Sequence, residues 1–153
     1  MGQATNIDWC DSTVNPTTGC QGCELKQPGK TGTCYASTLH EGRLAKSIPS
    51  LYAADFHEVR LAPGRMKKAA AWSDLRGVKR PDKPWLDGMP RMIFVGDMGD
   101  IFSADVPSEY LRDEVMDAAM SKAGSRHIWL WLTKQPKRLL DFSRLYGPLP
   151  ENV

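Results

Sequence analysis

Three cysteines, Cys20, Cys23 and Cys34, fall within GCQGCELKQPGKTGTCYA, residues 19–36. Two residues separate the first pair, so one turn directs both sulfurs at a common point. The third closes a ten-residue excursion containing Pro28, Gly29 and Gly32. Thiolates are soft ligands that select zinc, copper(I) or iron–sulfur clusters. A structural zinc closes its shell with four ligands, and here the fourth would be Cys10, His40 or a distant histidine. Three cysteines with no local fourth suit a four-iron cluster whose last iron stays open to a substrate or cofactor. Spacing alone leaves zinc, an iron–sulfur cluster and no metal all open. A disulfide framework is disfavoured, because nothing in the chain points to an oxidising compartment.

A second group of candidates follows the apolar run MIFV. Asp97 and Asp100 stand where that run ends, and Gly96 and Gly99 beside them would let backbone approach a ligand closely. Read functionally, the carboxylates would bind a cofactor amino group or a substrate hydroxyl; read structurally, they are an acidic turn leading into a helix. GDMG lacks the glycine spacing and the Lys-Ser/Thr pair of a phosphate loop. Thr133 and Lys134 end the next apolar run, where a lysine would meet a carboxylate or phosphate. Cys10 reads as a buried apolar thiol, and His40, His57 and His127 as ordinary histidines. No nucleophile–histidine–acid set and no His-Glu-x-x-His motif is present.

Elements of a parallel α/β fold must position these groups. Residues 8–15 read as a short strand, 19–33 as a loop and 36–46 as a helix carrying Leu39 and Leu44. After Pro63, the positions of Met66, Ala70 and Leu75 predict a short basic helix that Gly77 stops. RMIFVGD and HIWLWLT read as buried strands. Between them, Leu111, Val115 and Ala118 repeat at helical spacing, with Pro107 near the first turn and Gly124 at the end. KRLLDFSRLYG is a last helix. Strand–helix–strand–helix order predicts a parallel sheet, the N-terminal part of an incomplete TIM-like (βα) barrel. GPLPENV looks like the approach to a further strand. The expectation is one α/β domain over residues 1–153, truncated at its C-terminus, with either a dimer or a partner chain covering the open sheet edge.

The chain has 153 residues, 41% of them hydrophobic and 25% charged, with a net charge of +2. This is the profile of one globular domain. No apolar stretch is long enough to cross a bilayer. The opening MGQATNIDWCDST has neither a basic start nor an apolar run, so a cytoplasmic protein is expected. Charge is unevenly spread: residues 60–91 carry nine Lys/Arg against three acids, and residues 97–117 seven acids against one Arg. The basic segment could meet a phosphate backbone, or be a solvated face.

The segments IDWCDSTVNPTTGC, CYA, VGDMGDIF with VPSEY, and WLTKQPKRL together resemble the uncharacterised phage Gp37/Gp68 family, also called DUF5131. The matching residues are Trp9, Asp11, Asn15, Pro16, Gly19, Cys20, Cys34, Tyr35, Ala36, Asp100, Phe102, Thr133, Lys134 and Pro136. That family looks like a distant relative of radical S-adenosylmethionine enzymes, which hold a four-iron, four-sulfur (4Fe-4S) cluster on three cysteines after the first barrel strand. Those enzymes usually place three residues and then two between their cysteines; this chain places two and then ten. Tyr35 also follows the last cysteine, where the relatives carry an aromatic just before it.

The resemblance implies a cytoplasmic protein, in the host cytoplasm if phage-encoded. Cys20, Cys23 and Cys34 would ligate three irons, and reductive cleavage of S-adenosylmethionine would yield a radical that abstracts hydrogen from an unknown substrate. Asp97, Asp100 and Lys134 would position cofactor or substrate, with Gly96, Gly99 and Thr133 in the cofactor pocket. The competing expectation is a non-catalytic phage protein with a zinc-stapled loop that binds nucleic acid or a protein partner. A further one is a remnant without turnover.

Overall fold

Parallel pairing carries the architecture seen in the computed structural model, which describes residues 2–26 and 34–153. Strands β1 (Ser12–Val14), β4 (Met92–Val95) and β5 (Ile128–Trp131) form one sheet in the order β1-β4-β5. Val14 pairs with Val95, and Val95 with Trp131, both in parallel register. Strands β2 (Thr17–Thr18) and β3 (Arg60–Leu61) make a small antiparallel ribbon. The fold is α/β, and the parallel sheet is open.

Among the described residues, four longer helical segments accompany the strands, besides short 3-10 turns at Pro84–Leu86 and Gly124–Arg126: α1 (residues 35–47), α2 (Arg65–Ala70), α3 (residues 108–120) and α4 (Pro136–Tyr146). Helices α1 and α3 each contain a π-helical stretch, His40–Leu44 and Leu111–Met116. Its wider turn changes which positions face inward. In α3 the core-facing series becomes Leu111, Val115 and Ala119, with Ala118 only partly covered.

Val14, Ile93, Val95 and Trp129 from the strands meet Met66, Ala69 and Ala70 of α2, Val115 of α3 and Phe142 of α4 in one core. Each fully buried aliphatic or aromatic side chain there contributes about 1.5–3 kcal/mol. Helix α2 ends earlier than its sequence pattern predicts. Trp72, 7% exposed, turns into the core, and its N–H bonds to the Ala69 carbonyl. Gly77 lies beyond, at φ 77°, in a later turn.

The sheet's N-terminal side is held by ion pairing. Arg80 reaches Asp11 through two bonds, Nε–Oδ1 at 2.7 Å and Nη2–Oδ2 at 3.2 Å. Asp11 Oδ2 also accepts the Met92 N–H at 2.8 Å, which fixes the start of β4 beside β1. Lys83 extends its ammonium to the carbonyls of Thr5, Ile7 and Cys10 at 2.6–2.7 Å. Arg91 is buried, bonding Ser12 Oγ and the Ser73 carbonyl. Three cations of the basic segment are thus internal fasteners, while Lys67 and Lys68 on α2 face solvent.

Candidate metal centre at the carboxyl ends of the strands

β1 delivers the chain through Asn15 and β2 to Gly19, where the backbone turns sharply. Gly19 has φ 80°, and a Cβ there would stand 2.5 Å from the Glu58 carbonyl oxygen. Its N–H bonds to the Met98 carbonyl at 3.1 Å, and Gly19 bridges in parallel to Gly99. A Cβ on Gly99 would lie 2.3 Å from the Gly19 carbonyl oxygen. This close approach sets the first cysteines beside the loop that follows β4. Gly99 lines the cavity described below, but the space freed by its missing side chain is filled by Gly19. At Gly96, with φ 86°, the corresponding neighbours are Ile101 and the Gly99 carbonyl. Both glycines therefore serve chain-to-chain packing.

Cys20, Cys23 and Cys34 line one cavity of about 200 Å³, together with Asp97, Asp100, Thr133 and Lys134. Residues distant in sequence converge here because β1, β4 and β5 all end at this side of the sheet. That is where open α/β sheets place their sites. Phe56, Leu25 and Leu132 supply apolar wall and lip. The excursion with Pro28, Gly29 and Gly32 lies outside the described residues.

Each candidate has its own surroundings. The Cys20 amide is anchored on the Phe56 carbonyl at 2.9 Å, and its sulfur accepts the Gly22 N–H at 3.4 Å. Burial pushes the Cys20 thiol up from its ordinary range. A bound cation would reverse that, since metal coordination deprotonates a thiol. Asp100 accepts the Phe102 N–H, the Thr133 hydroxyl and the Lys134 N–H, all within 2.7–2.9 Å. It ties the β4 and β5 exits together and positions Thr133 and Lys134.

Lys134 extends its Nζ to Glu24 Oε1 at 2.7 Å, linking the β5 exit to the residue after Cys23. Lys26 pairs likewise with Glu41 of α1 at 3.0 Å. Asp97 is different: its Oδ1 is buried and has no hydrogen-bond partner. Burial raises its pKa, opposed by the adjacent Asn15 amide.

The other proposed ligands stand apart. Cys10 is fully buried, absent from the cavity lining, and its pKa is pushed up to about 11 by burial. His40 is buried, with its Nε2 2.7 Å from the Ala53 carbonyl oxygen. His127 Nε2 faces the Ala70 carbonyl oxygen at 3.1 Å. Neither Cys10 nor His40 supplies a fourth ligand to this cavity. Among the described residues, no group of three or more His, Cys, Asp or Glu is arranged to hold a single metal ion.

Sequence reasoning missed Glu24, Leu132 and His57. Both ring nitrogens of His57 are buried without a partner, and its Cε1 would sit 3.0 Å from a Cβ at Gly22, inside the Cys-x-x-Cys turn. Only the charge complementarity of Glu24 and Lys134 was readable in advance, and nothing in the sequence indicated that pairing.

Residues 4–153 match the model of a family described as Protein of unknown function (DUF5131). No curated protein and no solved structure matches the chain.

Proposed function

The chain belongs to the DUF5131 family, and from that premise we propose a phage-encoded, cytoplasmic iron–sulfur protein of the radical S-adenosylmethionine type. The observation that carries this reading is the meeting of Cys20, Cys23 and Cys34 with Asp97, Thr133 and Lys134 in one cavity at the carboxyl ends of three parallel strands. Three thiols share that cavity, and among the described residues no fourth cysteine or histidine lines it.

Cys20, Cys23 and Cys34 would hold three irons. When bound, the cluster with S-adenosylmethionine supplies one-electron cleavage of the sulfonium and hydrogen abstraction from a substrate. This chain's own residues do the rest. The Asp97 carboxylate, in the cavity wall, would position the substrate. Asp100 orients Thr133 and Lys134. Phe56, Leu25 and Leu132 limit water.

The test is metal content after anaerobic reconstitution. Iron and sulfide should be incorporated with the broad visible absorbance of a cluster, and Ser at Cys20, Cys23 or Cys34 should abolish it while Cys10→Ser retains it. Tight stoichiometric zinc with iron never incorporated overturns the reading.

A zinc-stapled binding module is the second reading, and its support is His57, a partnerless imidazole beside Gly22 that would be the fourth ligand of a three-cysteine, one-histidine shell. It expects zinc that is lost in His57→Ala.

A further inference from the structure

A second cavity, of about 680 Å³, also has Asp97 in its lining. Trp9, Tyr35 and Phe94 line it, with Asn6 and Ile7 completing the wall. Trp9 and Tyr35 are 42% and 62% exposed, although large aromatic faces are normally covered. The Trp9 and Phe94 ring centroids lie 4.7 Å apart, at 56°. Asp97 lines both cavities, and its Oδ1 is buried and unpartnered.

The wall is pre-formed. The Lys83 ammonium binds the carbonyls of Thr5, Ile7 and Cys10, and Trp85 Nε1 donates to the Asp8 carbonyl at 2.9 Å. The turn that carries Trp9 is therefore tied down before any ligand arrives, which lowers the ordering cost of binding.

Aromatic faces beside an unfilled carboxylate acceptor define the ligand. A phosphate or carboxylate would be repelled by Asp97. A quaternary ammonium or an aliphatic group has no N–H to give the Asp97 carboxylate, so neither gains the hydrogen bond that would set polar specificity. A flat ring with an exocyclic amino group satisfies both features. We propose that this groove binds an amino-bearing nucleobase of the substrate, stacked against its aromatic lining of Trp9, Tyr35 and Phe94 and donating an N–H to the Asp97 carboxylate. The substrate class is thus a nucleoside, nucleotide or nucleic acid, delivered beside the cysteine cavity. What happens to it there rests on the function proposed above; binding itself does not.

Calorimetric titration of the full chain with adenosine, cytidine, guanosine, purine riboside and S-adenosylmethionine tests this, before and after reconstitution, with iron measured on each sample. Amino-bearing nucleosides should bind without displacement by S-adenosylmethionine, and purine riboside, which stacks as adenosine does but has no base N–H, should bind at least about tenfold more weakly. Tyr35→Ala, at an exposed position, should weaken binding by roughly tenfold, and Asp97→Ala should erase the preference over purine riboside. Trp9→Ala should weaken binding likewise. No binding, or equal binding of purine riboside, overturns the proposal. So does binding of adenosine alone that S-adenosylmethionine displaces, because the groove would then serve the cofactor's own base. Nucleoside binding by a chain that never takes up iron supports the groove and overturns the iron–sulfur reading.

Discussion

Asp97 and Asp100 lie three positions apart, and their carboxyls meet opposite conditions. Asp100 has both oxygens engaged by Phe102, Thr133 and Lys134. Asp100→Ala leaves three buried or half-buried donors unmet, at about 1–3 kcal/mol each at most. Chemical denaturation should show a clear loss of stability, and an unchanged midpoint would show those bonds to be inessential.

Asp97 is half-buried, its Oδ1 is covered and unfilled, and its pKa is raised. A carboxyl raised in the folded state favours folding while protonated, and that advantage is lost as pH climbs through its folded pKa. At neutral pH the charged form weighs against the fold. Asp97→Asn should therefore raise the melting temperature at pH 7 and give no gain at a pH below the unfolded value of about 3.9. A lower melting temperature at pH 7 would mean that the ionised form has a partner. Stability held down at one residue in this way is common where a ligand is to be bound.

The sequence places both aspartates at a strand end. It does not separate their roles, because which oxygen has a partner depends on Thr133 and Lys134, more than thirty residues away.

At the scale of elements, the cysteine segment depends on backbone meeting backbone at Gly19 and Gly99. A methyl at Gly99 would press on the Gly19 carbonyl at 2.3 Å, and main chain has little freedom to yield. Gly99→Ala should cost about 1–3 kcal/mol and lower metal uptake along with the melting temperature. Full uptake with normal stability would show that the loop adapts.

The central helical and strand periods were legible because burial follows a repeat: MIFV and IWLW are strands, and residues 108–120 a helix. The β2–β3 ribbon and the early end of α2 were not. Two-residue strands carry no period, and Trp72 ends α2 through a core contact that lies outside the local pattern.

The basic segment shows the same limit. Its composition is uniform, yet Arg80, Lys83 and Arg91 are bound internally, leaving Lys67 and Lys68 of α2 among its exposed cations. If α2 meets a phosphate backbone, affinity for a mixed-sequence oligonucleotide should fall with salt, with a shallow slope that reflects few contacts. Lys67→Ala with Lys68→Ala should flatten it further. Affinity indifferent to salt would retire α2 as a nucleic-acid face.

On the scale of the whole molecule, the order β1-β4-β5 leaves two sheet edges, and they are treated differently. Beside β1, Gly2 and Thr13 exchange both backbone bonds, at 3.0 and 3.1 Å. Beside β5, the Trp129 N–H bonds to the Asn152 carbonyl at 2.7 Å, and the Asn152 amide donates to the carbonyls of Ala119, Gly124 and His127. The segment GPLPENV thus approaches the position of a next strand, as its sequence suggests, but touches the edge at one point. Trp131 Nε1 is buried without a partner, and Leu132, Leu140 and Leu145 are exposed nearby in sequence. An edge of this kind, with backbone groups open and apolar side chains around it, is a template for another chain. Sedimentation velocity on the 153-residue chain should show self-association that grows with concentration, and charged substitutions at Leu140 and Leu145 should reduce it. A monomer at every concentration would mean that the single contact with Asn152, and the core packing of Val153 beside it, is cover enough for β5.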